Sequence, residues 1–151
     1  MADQAVDIWR APEISEETLK RFKPQKFILK PYTIADHPFL QNGMTKELFE
    51  AFRKEMLRLD DNVREEFLKL YIAYKAETNF IDVVPQAKQL NLTLNIDINE
   101  LDDPRHLCRD ISHLNHWGNG TVEVKFKSFD QLPYMVGLAR QALEKQLGDD
   151  S

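Results

Sequence analysis

The chain has 151 residues, a single cysteine (Cys108) and a formal net charge of −5. One cysteine excludes a disulfide framework and a four-cysteine zinc site, and it suits a reducing cytoplasm. The acidic balance argues against a dedicated phosphate-backbone binder, and the length suits one domain whose core needs no metal or disulfide to fold.

The first residues, MADQAVDIWRAP, lack a basic region followed by an apolar run, so no secretory leader is expected there. No apolar run approaches the ~18 residues of a membrane span, so no membrane partner is expected and the location is read as cytoplasmic.

Residues 1–42 read as an N-terminal extended arm, because Pro12, Pro24, Pro31 and Pro38 interrupt any long helix. Ser15, Glu16, Glu17 and Leu19 open one short helix within it. Lys20, Arg21, Lys23, Lys26 and Lys30 form a basic stretch read as solvated. Trp9, Phe22, Phe27, Ile28, Leu29 and Tyr32 make the arm too apolar for a free tail. It is expected to pack on the domain or on a partner, and residues 1–40 are the segment through which a homo-oligomer would form.

Residues 43–147 read as the domain, with an unstructured tail over 148–151. The first helix is predicted over 45–59, with Thr45 as N-cap and Leu48, Phe49, Phe52, Met56 and Leu59 on one face. Asp60, Asp61 and Asn62 then signal a turn. A strand is predicted over 68–75, where Leu68, Leu70, Ile72 and Tyr74 alternate with Lys69, Tyr71, Ala73 and Lys75. A β-rich run follows over 80–84, ending at Pro85. A half-buried strand spans 90–96, with Leu90, Leu92, Leu94 and Ile96 against Asn91, Thr93 and Asn95.

Asp103-Pro104 opens a predicted short helix to Cys108, with Asp103 as cap. A brief strand is expected over 110–114. Gly118-Asn119-Gly120 turns into a strand over 122–126, where Val122, Val124 and Phe126 point one way. The last helix runs over 131–147 with the stripe Leu132, Met135, Val136, Ala139, Leu143 and Leu147. The fold class is α+β: an antiparallel sheet of about four or five strands with two main helices on one face.

Several motifs occur in order: Tyr32-Thr33-Ile34-Ala35-Asp36-His37, Leu70-Tyr71-Ile72-Ala73-Tyr74-Lys75, Asn79-Phe80, Asp102-Asp103-Pro104, Arg109-Asp110 and His116-Trp117-Gly118-Asn119-Gly120. Over roughly residues 32–146 the chain resembles an uncharacterised family of bacterial and archaeal domains, the domain-of-unknown-function family 5655. The resemblance implies a module that stands alone or follows nuclease domains in restriction-type proteins with ParB-like NTPase and HNH domains. Neither of those domains is in this chain, and the family supplies no assigned catalytic residue to transfer.

Four groups of residues invite chemistry. Glu123-Val124-Lys125 is an ExK on a strand whose two charged side chains share one face. With Asp110 it mimics a metal-dependent nuclease site, an alternative that requires a second carboxylate for the ion. His106, Cys108, His113 and His116 are zinc-type ligands at loose spacing, and the preferred reading is metal-free, with His116 and Trp117 anchoring the turn. Cys108 and His106 cannot pair on a helix two residues apart, so a buried structural thiol is expected. Asp102, Asp103, Arg105, Arg109 and Asp110 read as a local capping network.

The solvent-facing side of the sheet is expected to carry Lys69, Tyr71, Lys75, Asn91, Thr93, Asn95, Lys125 and Lys127. Aromatic, basic and amide groups on an open sheet can stack bases and meet phosphates. The expected function is a non-catalytic binding or accessory module with no cofactor. It would recognise nucleic acid or a protein partner in a DNA-restriction setting.

Overall fold

The computed structural model describes residues 31–114 and 120–148. The helix predicted at Ser15, the apolar and basic residues before Pro31, the His116-Trp117 anchor and the last three residues lie outside the described residues, as does nearly all of the segment proposed for oligomerisation. The described residues from Tyr32 onward form one unit by backbone proximity. It opens with two 3-10 turns, Ile34–Asp36 and Pro38–Leu40. The first is held by a capping box: the Thr33 hydroxyl accepts from the Ala35 N–H (3.2 Å) and Asp36 Oδ2 from the Thr33 N–H (2.8 Å). Leu40 and His37 are buried. His37 Nε2–H donates to the Leu68 carbonyl at 2.7 Å and so holds a distant turn.

Helix α1 (Gly43–Leu57) buries Leu48, Phe49, Phe52 and Met56, the face predicted from their spacing. Its start differs from expectation. Thr45 is not the cap; the helix begins two residues earlier, after Asn42, at Gly43, whose φ of +85° favours a residue without Cβ. Thr45 is buried inside the first turn. Its hydroxyl donates to the Gln86 carbonyl (2.8 Å) and lies 3.0 Å from that of Ala87.

Six antiparallel strands follow: β1 (Arg64–Phe67), β2 (Ile72–Lys75), β3 (Asn79–Pro85), β4 (Leu90–Leu94), β5 (Arg109–Asp110) and β6 (Val122–Phe126). Their order is β1-β2-β3-β4-β6-β5. Helix α2 (Leu132–Gly148) buries Met135, Val136, Leu138, Ala139, Ala142 and Leu143. Both helices share one apolar cluster with Ile72, Tyr74, Ile81, Val83, Leu92, Val124 and Phe126 of the sheet. The α+β class and the two covering helices agree with the sequence reading; the sheet has one strand more.

Three local expectations are corrected. The run 68–75 is a strand only from Ile72 onward. Residues 68–71 form the β1–β2 hairpin loop, closed by Leu68 N–H to Tyr71 O (2.8 Å), and Leu70 is 47% exposed. The stretch 103–108 is a turn without a helix, and the strand near 110 has two residues and ends at Asp110 rather than starting there.

β1 was missed because its composition, Arg-Glu-Glu-Phe, offers no apolar alternation. Its inward Glu65 is accommodated by partners. Arg53 Nε lies 2.9 Å from Glu65 Oε2, and the buried Tyr74 hydroxyl donates to that oxygen at 2.8 Å. Burial, then the neighbouring Glu65 charge, pushes the Tyr74 phenol well above its ordinary range, so it stays a donor. The Arg53 guanidinium also lies 5.9 and 5.7 Å from the Phe49 and Phe67 ring centres.

Candidate functional site on the polar face of the sheet

The strand registers align one row across the whole sheet on the side away from the helices: Glu66, Ala73, Asp82, Thr93, Glu123 and Arg109. This face is not uniformly wet. Ala73, Asp82 and Thr93 are buried at its centre. Asn79 Nδ2 donates to Asp82 Oδ1 at 2.8 Å. Gly120 lies so close above Thr93 that an added Cβ would sit 2.6 Å from the Thr93 Cβ and 2.9 Å from its carbonyl carbon. Thr93 was expected to be solvent-facing; the approach of Gly120 explains why it is not.

The predicted binding residues fall into separate groups. Lys69 is exposed in the hairpin loop and belongs to no strand. Tyr71 also lies in that loop, close enough to Asp82 and Glu66 that their charges, after burial, raise its phenol. Lys75 Nζ is paired with Glu66 at 2.7 Å. Asn95 Nδ2 donates to the Asn79 carbonyl at 3.0 Å, far from the lysines of β6. Asn91, Lys125 and Lys127 do come together, at the β6 side of the sheet.

Glu123 is the centre of that group. Its side chain is 12% exposed. Arg109 Nε donates to Oε1 at 2.7 Å, Asn91 Nδ2 to Oε2 at 2.9 Å, and Lys125 Nζ stands 3.9 Å from Oε1. Burial pushes this carboxyl up, but the bonds from Asn91 and Arg109 and the two cations outweigh it and hold the pKa low. A cleft of about 240 Å³ opens here, lined by Leu107, Arg109, Glu123, Lys125, Lys127 and Gln131 among others. Arg109 is the residue that sequence reading left in a local network; only the pairing Arg109↔Glu123 brings it into this corner.

The ExK pair therefore has its lysine and glutamate facing each other. Asp82 is the acid in the same row, two strands away, about 9–10 Å in sheet spacing. Asp110 is exposed at the sheet edge beside Val122. Among the described residues no group of three or more His, Cys, Asp or Glu side chains is arranged to hold a metal ion.

Asp103 organises the approach to the corner. Its carboxylate accepts from the Leu107 N–H (3.2 Å), the Cys108 N–H (2.9 Å) and the Tyr134 hydroxyl. Burial pushes its pKa up; these bonds outweigh burial and lower it. His106, inside this turn, takes φ of +54°, a left-handed conformation uncommon outside glycine. Cys108 is half-buried beside Asp103. Burial, then the aspartate charge, pushes its thiol up to about 12, which disfavours the thiolate form.

Both depressed carboxyls stabilise the fold only while ionised. Their ordinary values are 3.8 for Asp103 and 4.5 for Glu123, and the folded values lie lower. Their contribution is complete above those ordinary values and is lost as pH falls through the folded ones. Urea midpoints measured against pH should begin to fall below about pH 4.5. Glu123→Gln should make that fall shallower. Superimposable profiles for Glu123→Gln and the parent would refute the assignment.

Among the described residues no helix is long and apolar enough to cross a membrane. Residues 38–145 match the model of a family described as a domain of unknown function, DUF5655. The chain is 36% identical over 131 residues to an uncharacterised protein of Haemophilus influenzae; the match covers 87% of this chain and 43% of that protein, so the chain spans under half its length. No solved structure matches. The family match over most of the chain places this protein in the DUF5655 family.

Proposed function

We propose that this chain is a non-catalytic recognition module that binds an anionic partner at the β6 corner of its sheet. The observation that carries the reading is the set of three cations, Arg109, Lys125 and Lys127, around one cleft whose sole lining carboxylate, Glu123, is already engaged by Arg109 and Asn91. The corner thus presents net positive charge on a protein whose total is −5. The remainder of the predicted surface supports this less: Lys75 is neutralised by Glu66, and Asp82 lies at the centre of the face. The DNA-restriction setting comes from the resemblance of the chain to modules fused behind nuclease domains, the cytoplasmic location from its single cysteine and the lack of a long apolar run, and both belong to this proposal.

The test is fluorescence anisotropy with labelled single-stranded DNA, double-stranded DNA and poly-glutamate, with and without Mg²⁺, across a salt series. Salt-sensitive binding lost in the double variant Lys125→Glu, Lys127→Glu is the expected result. Failure of all three probes at low salt overturns the reading. Mg²⁺-dependent cleavage lost in Lys125→Ala would replace it with the nuclease alternative at Glu123 and Lys125.

A further inference from the structure

The outer side of β6 is only half covered. β5 pairs with it at Arg109↔Glu123 and Asp110↔Val122, and the ladder continues past β5 through Ile111 N–H to Thr121 O at 2.8 Å. In an antiparallel ladder alternate residues direct both backbone groups to the same neighbour. Thr121 itself is irregular, its N–H turning inward to the Leu94 carbonyl at 2.9 Å. The Asn95 N–H, however, bonds to Phe80 of β3 at 3.0 Å, which leaves Leu94, Leu92 and Leu90 to bond Val122, Val124 and Phe126 and turns the backbone groups of Glu123 and Lys125 outward. Arg109 occupies those of Glu123. Beyond it no described strand pairs with Lys125, while the Lys127 N–H is taken by Gln131 Oε1 at 2.7 Å.

The chain itself prevents β5 from covering Lys125. Were β5 to continue, Leu107 would stand opposite. Instead the Leu107 and Cys108 N–H groups turn back to the Asp103 carboxylate, through the left-handed His106. The result is a short open edge beside the cleft rather than a strand that merely frays. Leu107, 39% exposed, provides an apolar contact on the cleft wall.

Resting on the recognition reading above, we infer that the occupant of this edge is an extended acidic peptide. It adds to the sheet in line with β5, bonds to the Lys125 N–H and C=O, and sets acidic side chains against Arg109, Lys125 and Lys127. Strand addition takes affinity from the main chain and specificity from alternate side chains. Lys125 and Lys127 lie on one face because a strand has period two, so the matching peptide carries acids at alternate positions. Charge complementarity selects the partner: this corner holds three cations and one compensated carboxylate. A nucleic acid would use the cations but has no main chain to complete the ladder.

The experiment uses the full chain, ¹⁵N-labelled, with a synthetic peptide of alternating glutamate and valine. An alternating glutamate–proline peptide of equal charge is the control, since proline cannot donate to a ladder. The expected result is slowed exchange of the Lys125 amide on binding and affinity about tenfold weaker for the proline peptide. Lys125→Pro, tolerated where an edge N–H faces outward, should abolish binding, whereas Lys125→Ala should only weaken it. Equal affinities for the two peptides, or binding with no change at the Lys125 amide, overturns strand addition and leaves the anion-recognition reading standing. Binding of single-stranded DNA without the peptide also overturns the inference. Failure of every anionic probe removes both readings.

Discussion

Phe52→Ala is expected to destabilise the protein by about 3–5 kcal/mol, the range for deleting a buried aromatic side chain and leaving a cavity. Phe52 has no exposed surface. Its ring meets Tyr74 edge-on at 6.4 Å between centres and Phe126 at 5.9 Å. It thus joins α1 to β2 on one side of the sheet and to β6 on the other. Neither neighbour can collapse into the void easily, because Tyr74 is fixed through Glu65 and Phe126 is paired to Leu90. Domains are stable by roughly 5–15 kcal/mol, so the variant should lie near the edge of folding. The urea midpoint should drop by ~2 M with the slope unchanged. Phe52→Leu, which keeps most of the volume, should lose far less. A midpoint shift for Phe52→Ala of less than about 0.5 M would show that the core is not organised around this ring.

The second large effect is expected at Gly120. Any Cβ there meets the Thr93 side chain at 2.6 and 2.7 Å and its carbonyl carbon at 2.9 Å. Thr93 sits on β4, between β3 and β6, so its backbone has no room to retreat. Overpacking of this kind costs about 1–3 kcal/mol. Gly120→Ala should lower the thermal midpoint, and Gly120→Val should lower it further. The loss for Gly120→Ala should shrink in a Thr93→Gly background, because part of the clash is side chain against side chain. Additive effects in the double variant would disprove that contact. Since Gly120 lies two residues before β6, its replacement should also disturb the Arg109–Glu123 corner.

The parts of this fold legible in the sequence are those where one physical rule acts alone. Val122, Val124 and Phe126 alternate cleanly because β6 faces the core on one side only. Leu48, Phe49, Phe52 and Met56 reveal α1 through helical spacing. The rules failed where two acted together. β1 turns Glu65 inward, and only Arg53 and Tyr74, remote in sequence, make that position acceptable. The loop 68–71 imitates a strand because Leu70 is apolar yet 47% exposed. Thr45 has the chemistry of a cap but is used to hold the turn after β3. The candidate corner was half legible. Lys125, Lys127 and Asn91 follow from period-two alternation, whereas Arg109 enters through a two-residue strand too short to leave any periodic signal.

The buried Asp82 has a consequence for how the chain avoids wrong structures. It occupies the second position of the alternation in β3, opposite Ile81 and Val83, which face the helices. Sliding β3 by one residue against β4 would turn this carboxylate into the aromatic core and expel two aliphatic side chains. The penalty for carrying an ionisable group into that cluster far exceeds what a misaligned ladder could recover. One acidic side chain at the middle of the sheet thereby selects a single alignment for β3 within the four-strand meander.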